Sequence, residues 1–581
     1  MPDRGSYWQQ LSRRRLDRRR TLQFAALAAG AGATALAGLA CGSSKSSSSG
    51  SAGGAAGTPN VGARNRVATP SSAQVKTGGR ISYPTPSEPP DLDPRLTLSY
   101  GLHNFVSSIH NRVVRTVQGA EANVNTDFTL KGDLADKWEQ PDPATLTFSL
   151  VQGVTFHNKP PVNGRELTSQ DLKNTFEGYA KSGAHTGAFD LLDRVETPDK
   201  YTAKFVLKQP FGGMLEVLTS PTQWVFAQEI IDQQGDLKST TIGTGPFIMD
   251  AFERKVGFKA SKNPNYFVKG QPYIDGFDQP FVPDGAARIA GFRSGQFDTL
   301  TGLTPSDVDP IVKSNADTQV LEQAAIHSVF GLAMAANSPP YNDPRVRQAL
   351  SMAIDRNAQL QSIFSGHATY GWGIPWIYFQ DAAVTPDQCG PYWKFDPAGA
   401  KKLLTAAGKA DGFKDTLTYF EYSTAMTSQV QLAQADLKKN LNVDLTIRQV
   451  DYPTWFQEYT SHKWTGTAWG FQIGSSSTLD DFTYQNIYSK SVANYWYVDD
   501  AQIDDLAIKI RAETDVQKRR DLVKQLFQRE QDQAWRLWMP YTNAFYLLKP
   551  HIRNFRPMAL RGGGTADYGG AARVQHWVDK G

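Results

Sequence analysis

The chain has 581 residues, of which 40% are hydrophobic and 20% are charged. This length exceeds what a single hydrophobic core usually serves, so we expect two or more lobes. The composition excludes a mostly disordered chain, a fibrous repeat and a protein that crosses the membrane many times. The formal charge of +4 comes from the start of the chain, because residues 1–20 alone carry +5 and the rest carries −1. The body is therefore not basic, and no nucleic-acid partner is predicted.

Residues 1–41 have the form of an export signal. An arginine-rich start is followed by the uncharged stretch Phe24–Ala40 and then by Cys41. Arg19-Arg20-Thr21-Leu22 resembles a twin-arginine (Tat) signal, with the general secretory (Sec) route as the alternative. The uncharged stretch is rich in Ala and Gly and short for crossing a bilayer, which favours an export signal over the other possibility, a permanent transmembrane anchor.

Gly38-Leu39-Ala40-Cys41-Gly42 resembles the processing box of a lipoprotein. In such a box the thiol of Cys41 is acylated, and the acyl chains hold the protein at the outer face of the membrane. Residues 42–77 suit a flexible tether, since twelve of the residues in 42–57 are Ser or Gly. We therefore predict a lipoprotein outside the cytoplasm, in the periplasm or on the cell surface. Acylation leaves Cys389, the other cysteine, without a disulfide partner.

Strand-like and helix-like segments alternate after residue 77. Thr145–Leu150 and Tyr201–Leu207 alternate with period two and predict strands, and Thr168 or Ser169 caps a helix between them. Further helices are predicted at Pro344–Asp355, Pro397–Ala407, Asp436–Leu441 and Asp515–Trp538, and a strand at Val443–Ile447. This pattern predicts mixed α/β packing.

Nine short segments carry a resemblance to a known family. They are Gly78–Ile81, Leu92–Pro94, Asp133–Glu139, Gly153–Asn158, Gly243–Phe247, Asn263–Phe267, Gly295–Asp298, Asp343–Arg356 and Asp396–Gly408. In this order they resemble the family 5 extracellular solute-binding proteins, the peptide, nickel and dipeptide receptors of ABC importers. The similarity covers roughly residues 78–550.

The resemblance implies a two-lobed clamp of the periplasmic-binding-protein type II kind, with an inserted extra subdomain. We place the first lobe in residues 78–120, 241–327 and 545–581, the inserted subdomain in 121–240, and the second lobe in 328–544. The implied protein is a monomeric receptor that closes over a small organic ligand and delivers it to an ABC permease. No catalytic activity, cofactor or metal is expected.

Aromatic residues are the candidate ligand contacts. Of the 13 Trp, nine lie between residues 372 and 538, several of them in Gly- or Pro-rich loops. Aromatic faces in a cleft pack against peptide side chains or stack on sugar rings. The candidate contacts are Tyr100, Trp372, Trp376, Trp469, Phe471 and Trp496. Core packing is the alternative role for each of them.

One departure from the family bears on the ligand. In peptide-binding relatives, the resemblance implies an Asp in a Trp-containing loop that pairs with the α-ammonium group of the peptide. Our alignment places Gly474 at that position, with Asp480 and Asp481 as possible replacements. Loss of this charge disfavours an ordinary dipeptide. We therefore predict a longer or modified oligopeptide, with an oligosaccharide as the alternative.

A secreted hydrolase is the competing class of function. The sequence lacks a G-x-S-x-G nucleophile motif, whereas acidic residues are frequent enough to leave a pair of catalytic carboxylates open. His157 lies at the end of a predicted strand, and no His pair has the spacing of a helical metal site. We interpret His157 as a hydrogen-bonded structural residue and Gly243–Pro246 as a tight turn.

Overall fold

The computed structural model describes residues 74–579 except 87, 90, 97–99, 123–126, 128, 183, 186–188, 325–329, 371, 381–383, 472–477, 560–564 and 567–572. The predicted export signal, Cys41 and nearly all of the predicted tether therefore lie outside the described residues.

The helices are α1 Tyr100–Val106, α2 Ser169–Lys181, α3 Met214–Thr219, α4 Gln228–Gln234, α5 Gly285–Ser294, α6 Pro305–Ser314, α7 Pro344–Ala353, α8 Arg356–Phe364, α9 Pro397–Ala406, α10 Thr424–Leu441, α11 Tyr452–Thr460, α12 Ala501–Ala512 and α13 Val516–Gln533. The strands are β1 Arg80–Ser82, β2 Val114–Thr116, β3 Leu130–Gly132, β4 Ala135–Asp142, β5 Thr145–Leu150, β6 Leu192–Asp199, β7 Thr202–Leu207, β8 Phe247–Glu253, β9 Gly257–Lys262, β10 Gly276–Pro280, β11 Thr299–Thr301, β12 Gln319–Gln323, β13 Phe330–Met334, β14 Ala368–Thr369, β15 Lys414–Phe420, β16 Asp444–Val450, β17 Thr467–Phe471, β18 Arg536–Trp538, β19 Tyr541–Thr542, β20 Ala544–Leu548, β21 Ile552–Arg553, β22 Met558–Ala559, β23 Thr565–Ala566 and β24 Trp577–Val578.

Two sheets form the body that we name the first lobe. One has the strand order β1-β10-β9-β8, and the other has the order β11-β20-β12. Strand β20 comes from the last part of the chain and pairs antiparallel with both β11 and β12. The chain therefore returns to the first lobe after it has built the second.

The sheet β4-β5-β7-β6 forms a separate layer that we name the inserted subdomain. Helix α2 packs on it, and the rings of Phe176 and Phe205 meet edge to face with centroids 5.1 Å apart. Thr168 and Asp171 close a reciprocal capping box at the start of α2. The predictions of both strands and of the helix between them are confirmed.

The second lobe is built on the five-stranded sheet β16-β15-β17-β13-β18. Strand β15 runs parallel to β16 and β17, while β13 runs antiparallel to β17 and β18. Helix α10 connects β15 to β16, and α11 connects β16 to β17. The largest hydrophobic cluster surrounds this sheet and extends from Phe330 to Met539. The boundaries predicted between the lobes stay a prediction.

The predicted helix Asp515–Trp538 was too long at both ends. Helix α13 is capped by Asp515 and ends at Gln533, because Ala534 turns the backbone into the left-handed region with φ 49°. The next residues form β18, which pairs with β13 in the core of the second lobe. Trp535 and Trp538 are buried, and they follow the helix instead of belonging to it.

His157 is a structural residue. It is buried, its Nε2 lies 3.0 Å from the carbonyl oxygen of Gly245, and burial lowers its pKa to about 4. The ring is therefore neutral near pH 7, which confirms the interpretation.

Gly243 and Gly245 are needed for a different reason from the one predicted. A Cβ atom at either position would lie under 3 Å from the backbone of Ile109, so close approach requires glycine here.

Candidate ligand-binding cleft

The carboxyl edge of the five-stranded sheet faces the first lobe. Strands β15, β16 and β17 end at this edge, and Phe330, the first residue of β13, pairs with Phe471, the last of β17. The last residue of β18, Trp538, pairs with Gly331 at the same edge. Both connections to the first lobe, from β12 into β13 and from β18 through β19 into β20, therefore leave from the carboxyl edge. Ligands of open parallel sheets bind outside this edge.

Aromatic rings gather at the carboxyl edge. Tyr422 follows β15, and its side chain is 60% exposed. Its ring centroid lies 5.1 Å from that of Phe330, which in turn lies 5.9 Å from that of Tyr541. Burial raises the pKa of Tyr541 to about 12, so its hydroxyl group keeps its proton at neutral pH. These rings offer a ligand both apolar area and hydroxyl groups.

A second row of rings supports the first. Phe420 contacts Tyr422, Tyr452 and Trp455, with centroid distances of 6.5, 4.9 and 4.9 Å. Trp455 is buried, whereas Tyr452 is half-buried at the start of α11. The buried rings fix the positions of the exposed ones through close packing.

Two carboxylates flank these rings. Glu421 is exposed, and one of its oxygens accepts a hydrogen bond of 3.2 Å from the side-chain amide of Gln449. The hydroxyl group of Tyr419 donates to the other end of the same amide at 3.0 Å. Asp451 caps α11, and the hydrogen bonds from Thr454 hold the pKa of its carboxyl group below the usual range. Asp451 therefore stays ionised at neutral pH.

A polar cluster joins the two lobes beside this edge. His367 Nδ1 lies 2.9 Å from an oxygen of Glu322, which is on β12 of the first lobe. The same oxygen accepts a hydrogen bond of 2.7 Å from the side chain of Asn543, in the connection between β19 and β20. Glu322 and Asn543 are both buried. The cluster fixes the geometry where the chain passes between the lobes.

The inserted subdomain contacts the second lobe on another side. Arg511 of α12 lies 3.2 Å from Asp190 of the inserted subdomain and 3.1 Å from Asp480 of the second lobe. The backbone N–H of Leu479 donates to Glu216 at 3.0 Å. Gly212 lies so close to Glu513 that a Cβ atom would be 1.7 Å from the carbonyl oxygen. Charge, hydrogen bonds and backbone packing therefore all join these two parts.

Asp480 and Asp481, the proposed replacements for the family carboxylate, both already interact with other residues of the chain. Asp480 is buried beside Arg511 and accepts a hydrogen bond of 3.2 Å from Gln485. Burial is the main reason why the pKa of Asp480 rises to about 7. Asp481 accepts a hydrogen bond of 2.9 Å from the backbone of Thr478. Gly474, which we predict to occupy the position of the family carboxylate, lies outside the described residues.

The predicted aromatic contacts occupy several environments. Trp372, Trp469 and Trp496 are at most 1% exposed and belong to the core of the second lobe. Trp376 is half-buried and packs against this core. The side chains of Tyr100 and Phe471 lie outside the described part, although the backbone places Phe471 at the carboxyl edge. Ligand contact by these residues stays a prediction, and the edge adds Glu421, Tyr422 and Tyr541, which the sequence analysis missed.

A second depression, of about 360 Å³, lies between α11 and the sheet. Arg448 and Glu458 line it and form a bidentate salt bridge, in which the two terminal guanidinium nitrogens lie 2.8 and 2.6 Å from the two carboxylate oxygens. These two charges thus match each other, and the depression lies along the face of the sheet instead of at the edge that faces the first lobe. We therefore assign the candidate site to the carboxyl edge.

The family follows from comparison with known sequences. A family model described as "Bacterial extracellular solute-binding proteins, family 5 Middle" matches residues 129–496, well over half of the chain. The chain belongs to this family of solute-binding proteins. Among curated proteins, it is 25% identical over 446 residues to the glutathione-binding protein GsiB of Salmonella typhi, and the match covers 74% of this chain and 84% of GsiB.

Solved structures of solute-binding proteins share the fold. The ABC transporter substrate-binding protein CtaP of Listeria monocytogenes matches with a TM-score of 0.72 at 19% identity, over 87% of this chain and 100% of CtaP. The periplasmic binding protein DppA of Helicobacter pylori, solved with the peptide STSA, matches with a TM-score of 0.67 at 19% identity, over 87% of this chain and 99% of DppA. The predicted two-lobed α/β fold is confirmed.

Two features are absent from the described residues. None of the helices there has the length and apolarity needed to cross a bilayer. In the same part of the chain, no group of three or more His, Cys, Asp or Glu side chains is arranged to hold a metal ion.

Proposed function

We propose that this protein is an extracytoplasmic receptor that captures an oligopeptide and delivers it to the permease of an ABC importer. The observation that carries the proposal is the carboxyl edge of the second lobe. It faces the first lobe and presents the exposed ring of Tyr422 beside Phe330 and Tyr541. This is the arrangement of a binding surface that a second wall can cover.

Closure of the lobes would complete the site. A ligand on the carboxyl edge touches the first lobe only when the two lobes approach each other, so its binding energy favours the closed state. The cluster of Glu322, His367 and Asn543 lies where the chain crosses, and it would act as the fixed side of the clamp. The contact between Arg511 and Asp190 would add a second point of support.

Peptide-like ligands are favoured over oligosaccharides by the relatives. GsiB is named for binding glutathione, a modified tripeptide, and the DppA structure holds a tetrapeptide. The aromatic edge suits peptide side chains, and the tyrosine hydroxyl groups suit peptide amides. An oligosaccharide remains the second candidate, because the same rings can stack on sugars.

Location and attachment are part of the proposal. Cys41 would carry the lipid anchor, and residues 42–77 would let a monomeric receptor reach a permease in the same membrane. The root-mean-square end-to-end distance of a flexible linker is about 5–6 Å times the square root of its number of residues, which gives roughly 30–36 Å for this tether. The Tat route would export the receptor already folded. Mass spectrometry of the mature N-terminus tests the anchor, and an unmodified Cys41 would refute it.

The function is tested by ligand capture without turnover. The purified protein is incubated with a peptide-rich cell extract, bound molecules are recovered by denaturation, and their masses are compared with those in the extract. We expect enrichment of an intact peptide that raises the unfolding temperature when it is added back. A product absent from the extract would instead favour the secreted hydrolase, and enrichment of an intact sugar would favour the oligosaccharide receptor.

A further inference from the structure

The second lobe touches the inserted subdomain at a place where no chain connection holds the two together. The chain enters the second lobe between β12 and β13 and leaves it between β18 and β20. The ion pair of Arg511 with Asp190 instead joins residues 321 apart in sequence, and the hydrogen bond from Leu479 to Glu216 joins residues 263 apart. These contacts depend on their own interactions, so a movement of the second lobe about the chain crossing would break them together.

Arg511 lies at the centre of this contact, which we name the latch. The latch consists of residues 190 and 211–216 of the inserted subdomain and residues 478–485 and 511–519 of the second lobe. Arg511 Nη2 lies 3.2 Å from Asp190, and Arg511 Nε lies 3.1 Å from Asp480. The backbone carbonyl of Arg511 accepts a hydrogen bond of 3.0 Å from the N–H of Gly212. One arginine thus serves a carboxylate of each body.

Carboxylates outnumber cations in the latch. The charged and titratable side chains around Asp480 come from both bodies: Asp190, Lys208 and Glu216 from the inserted subdomain, and Asp481, Tyr484, Arg511 and Arg519 from the second lobe. Lys208 and Arg519 donate to backbone oxygens, of Asp190 and Gly212. Arg511 is therefore shared between two carboxylates, and a proton on Asp480 would leave it to Asp190.

The closed latch keeps water from Asp480. Asp480 and Arg511 are each 9% exposed, and Leu479, the residue before Asp480, is bonded to the inserted subdomain through Glu216. If the inserted subdomain moves away, water reaches this side of the pair and the ionised carboxylate is no longer penalised by burial. Burial raises the pKa of Asp480 to about 7 in the closed latch. The closed latch therefore holds a proton that the open one releases at neutral pH.

We infer that the latch is a pH-sensitive switch: closure of the second lobe on the inserted subdomain takes up a proton at Asp480, so the clamp is held shut at mildly acidic pH and loosens as the pH rises past neutral. The inference goes beyond the proposed function, because it needs no particular ligand. For a receptor outside the cytoplasm, the pH of the surroundings would then set how readily the lobes separate.

Amide hydrogen exchange of the full-length protein without ligand measures the switch. The N–H of Gly212 donates to Arg511 and that of Leu479 donates to Glu216, so both amides report the opening of the latch. We expect their protection, corrected for the intrinsic exchange rate at each pH, to fall by about tenfold from pH 6 to pH 8. This factor follows from a pKa of about 7 in the closed latch and about 4 in the open one. Amides of β7, which pair with β5 inside the inserted subdomain, should keep their protection.

Three variants assign the response to the latch. Asp480→Asn cannot ionise, so the protection of Gly212 and Leu479 should stay within about twofold between the two pH values. Asp190→Asn breaks the ion pair between the bodies and should lower the protection of both amides at pH 6 by roughly two- to fivefold, because the latch opens as a unit. Asp193→Asn is the matched control, an exposed carboxylate on β6 of the inserted subdomain, and should change neither amide.

Equal protection of Gly212 at pH 6 and pH 8 in the wild type would overturn the inference, and so would a pH response that persists in Asp480→Asn. A loss of protection at Gly212 but not at Leu479 in Asp190→Asn would contradict opening as a unit. These results are separate from ligand capture. A protein that captures an intact peptide but shows no pH response at the latch is still the proposed receptor, without the switch.

Discussion

Replacing Asp480 by asparagine should remove a pH dependence from the stability of the second lobe. Asp480 is buried beside Arg511, and its Oδ1 lies 3.1 Å from Arg511 Nε. The N–H of that nitrogen does not point at the oxygen, so the ion pair lacks a well-formed hydrogen bond. Burial therefore outweighs the arginine and raises the pKa of Asp480 from 3.8 to about 7.

The sign and size of the pH dependence of stability follow from the difference between the folded and unfolded pKa of Asp480. Between about pH 4 and pH 7, the folded protein holds a proton that the unfolded chain has lost, so stability falls as the pH rises through this window. A difference of about three in pKa corresponds to roughly 4 kcal/mol once the pH exceeds the folded value. Asparagine has the same shape but cannot ionise. The Asp480→Asn variant should therefore gain stability relative to the wild type as the pH rises.

Urea unfolding between about pH 5 and pH 8, followed by tryptophan fluorescence, measures this gain. We expect the free energy of unfolding of Asp480→Asn, minus that of the wild type, to increase by roughly 2–3 kcal/mol across this range, because the rest of the change falls below pH 5. Asp505→Asn, which removes an exposed carboxylate from α12, should show no comparable trend. A constant difference for Asp480→Asn would refute the reasoning, since it would mean that Asp480 is ionised throughout.

Three other substitutions probe the packing. Gly212→Ala puts a Cβ atom 1.7 Å from the carbonyl oxygen of Glu513. This clash should separate the inserted subdomain from the second lobe. We expect faster amide hydrogen exchange in the segments around residues 212 and 513. Arg536→Met strands the buried carboxylate of Glu530 and should lower the free energy of unfolding by roughly 3–5 kcal/mol in urea. Trp469→Ala opens a cavity at a fully buried position and should cost roughly 3–5 kcal/mol in the same assay.

Each of these substitutions has a matched control. Gly178→Ala, in a helix where the new atom would lie 4.0 Å from the ring of Phe226, an ordinary contact, should leave the exchange rates unchanged. Arg448→Met breaks an exposed ion pair and should cost about 1 kcal/mol or less. Phe395→Ala removes a ring that is 47% exposed and should cost far less than Trp469→Ala. Equal effects in a variant and its control would show that the contact in question is not the cause.

Local patterns predicted much of the fold. The alternation in Thr145–Leu150 and the capping box of Thr168 and Asp171 both act within a few residues, so the sequence alone defines them. The end of α13 was missed, because Ala534 adopts a left-handed conformation that its sequence neighbours do not demand. The strand that follows is stabilised by pairing with β13, about two hundred residues earlier in the chain.

The site was harder to predict than the fold. Glu421 and Tyr422 follow a strand and have no motif of their own, and their proposed place in the site depends on which strands meet at one edge. That arrangement is set by pairing between β15 and β17, which lie about fifty residues apart. The abundance of Trp pointed instead to Trp372, Trp469 and Trp496, which the structure uses in the core. Residue type alone does not distinguish a buried ring from an exposed one.

The most direct test is a crystal structure of the protein with the molecule captured from cell extract. We expect the intact ligand between the two lobes, in contact with Tyr422 and Glu421 on one side and with the first lobe on the other. A ligand bound away from the carboxyl edge, or one found cleaved in the crystal, would contradict the account.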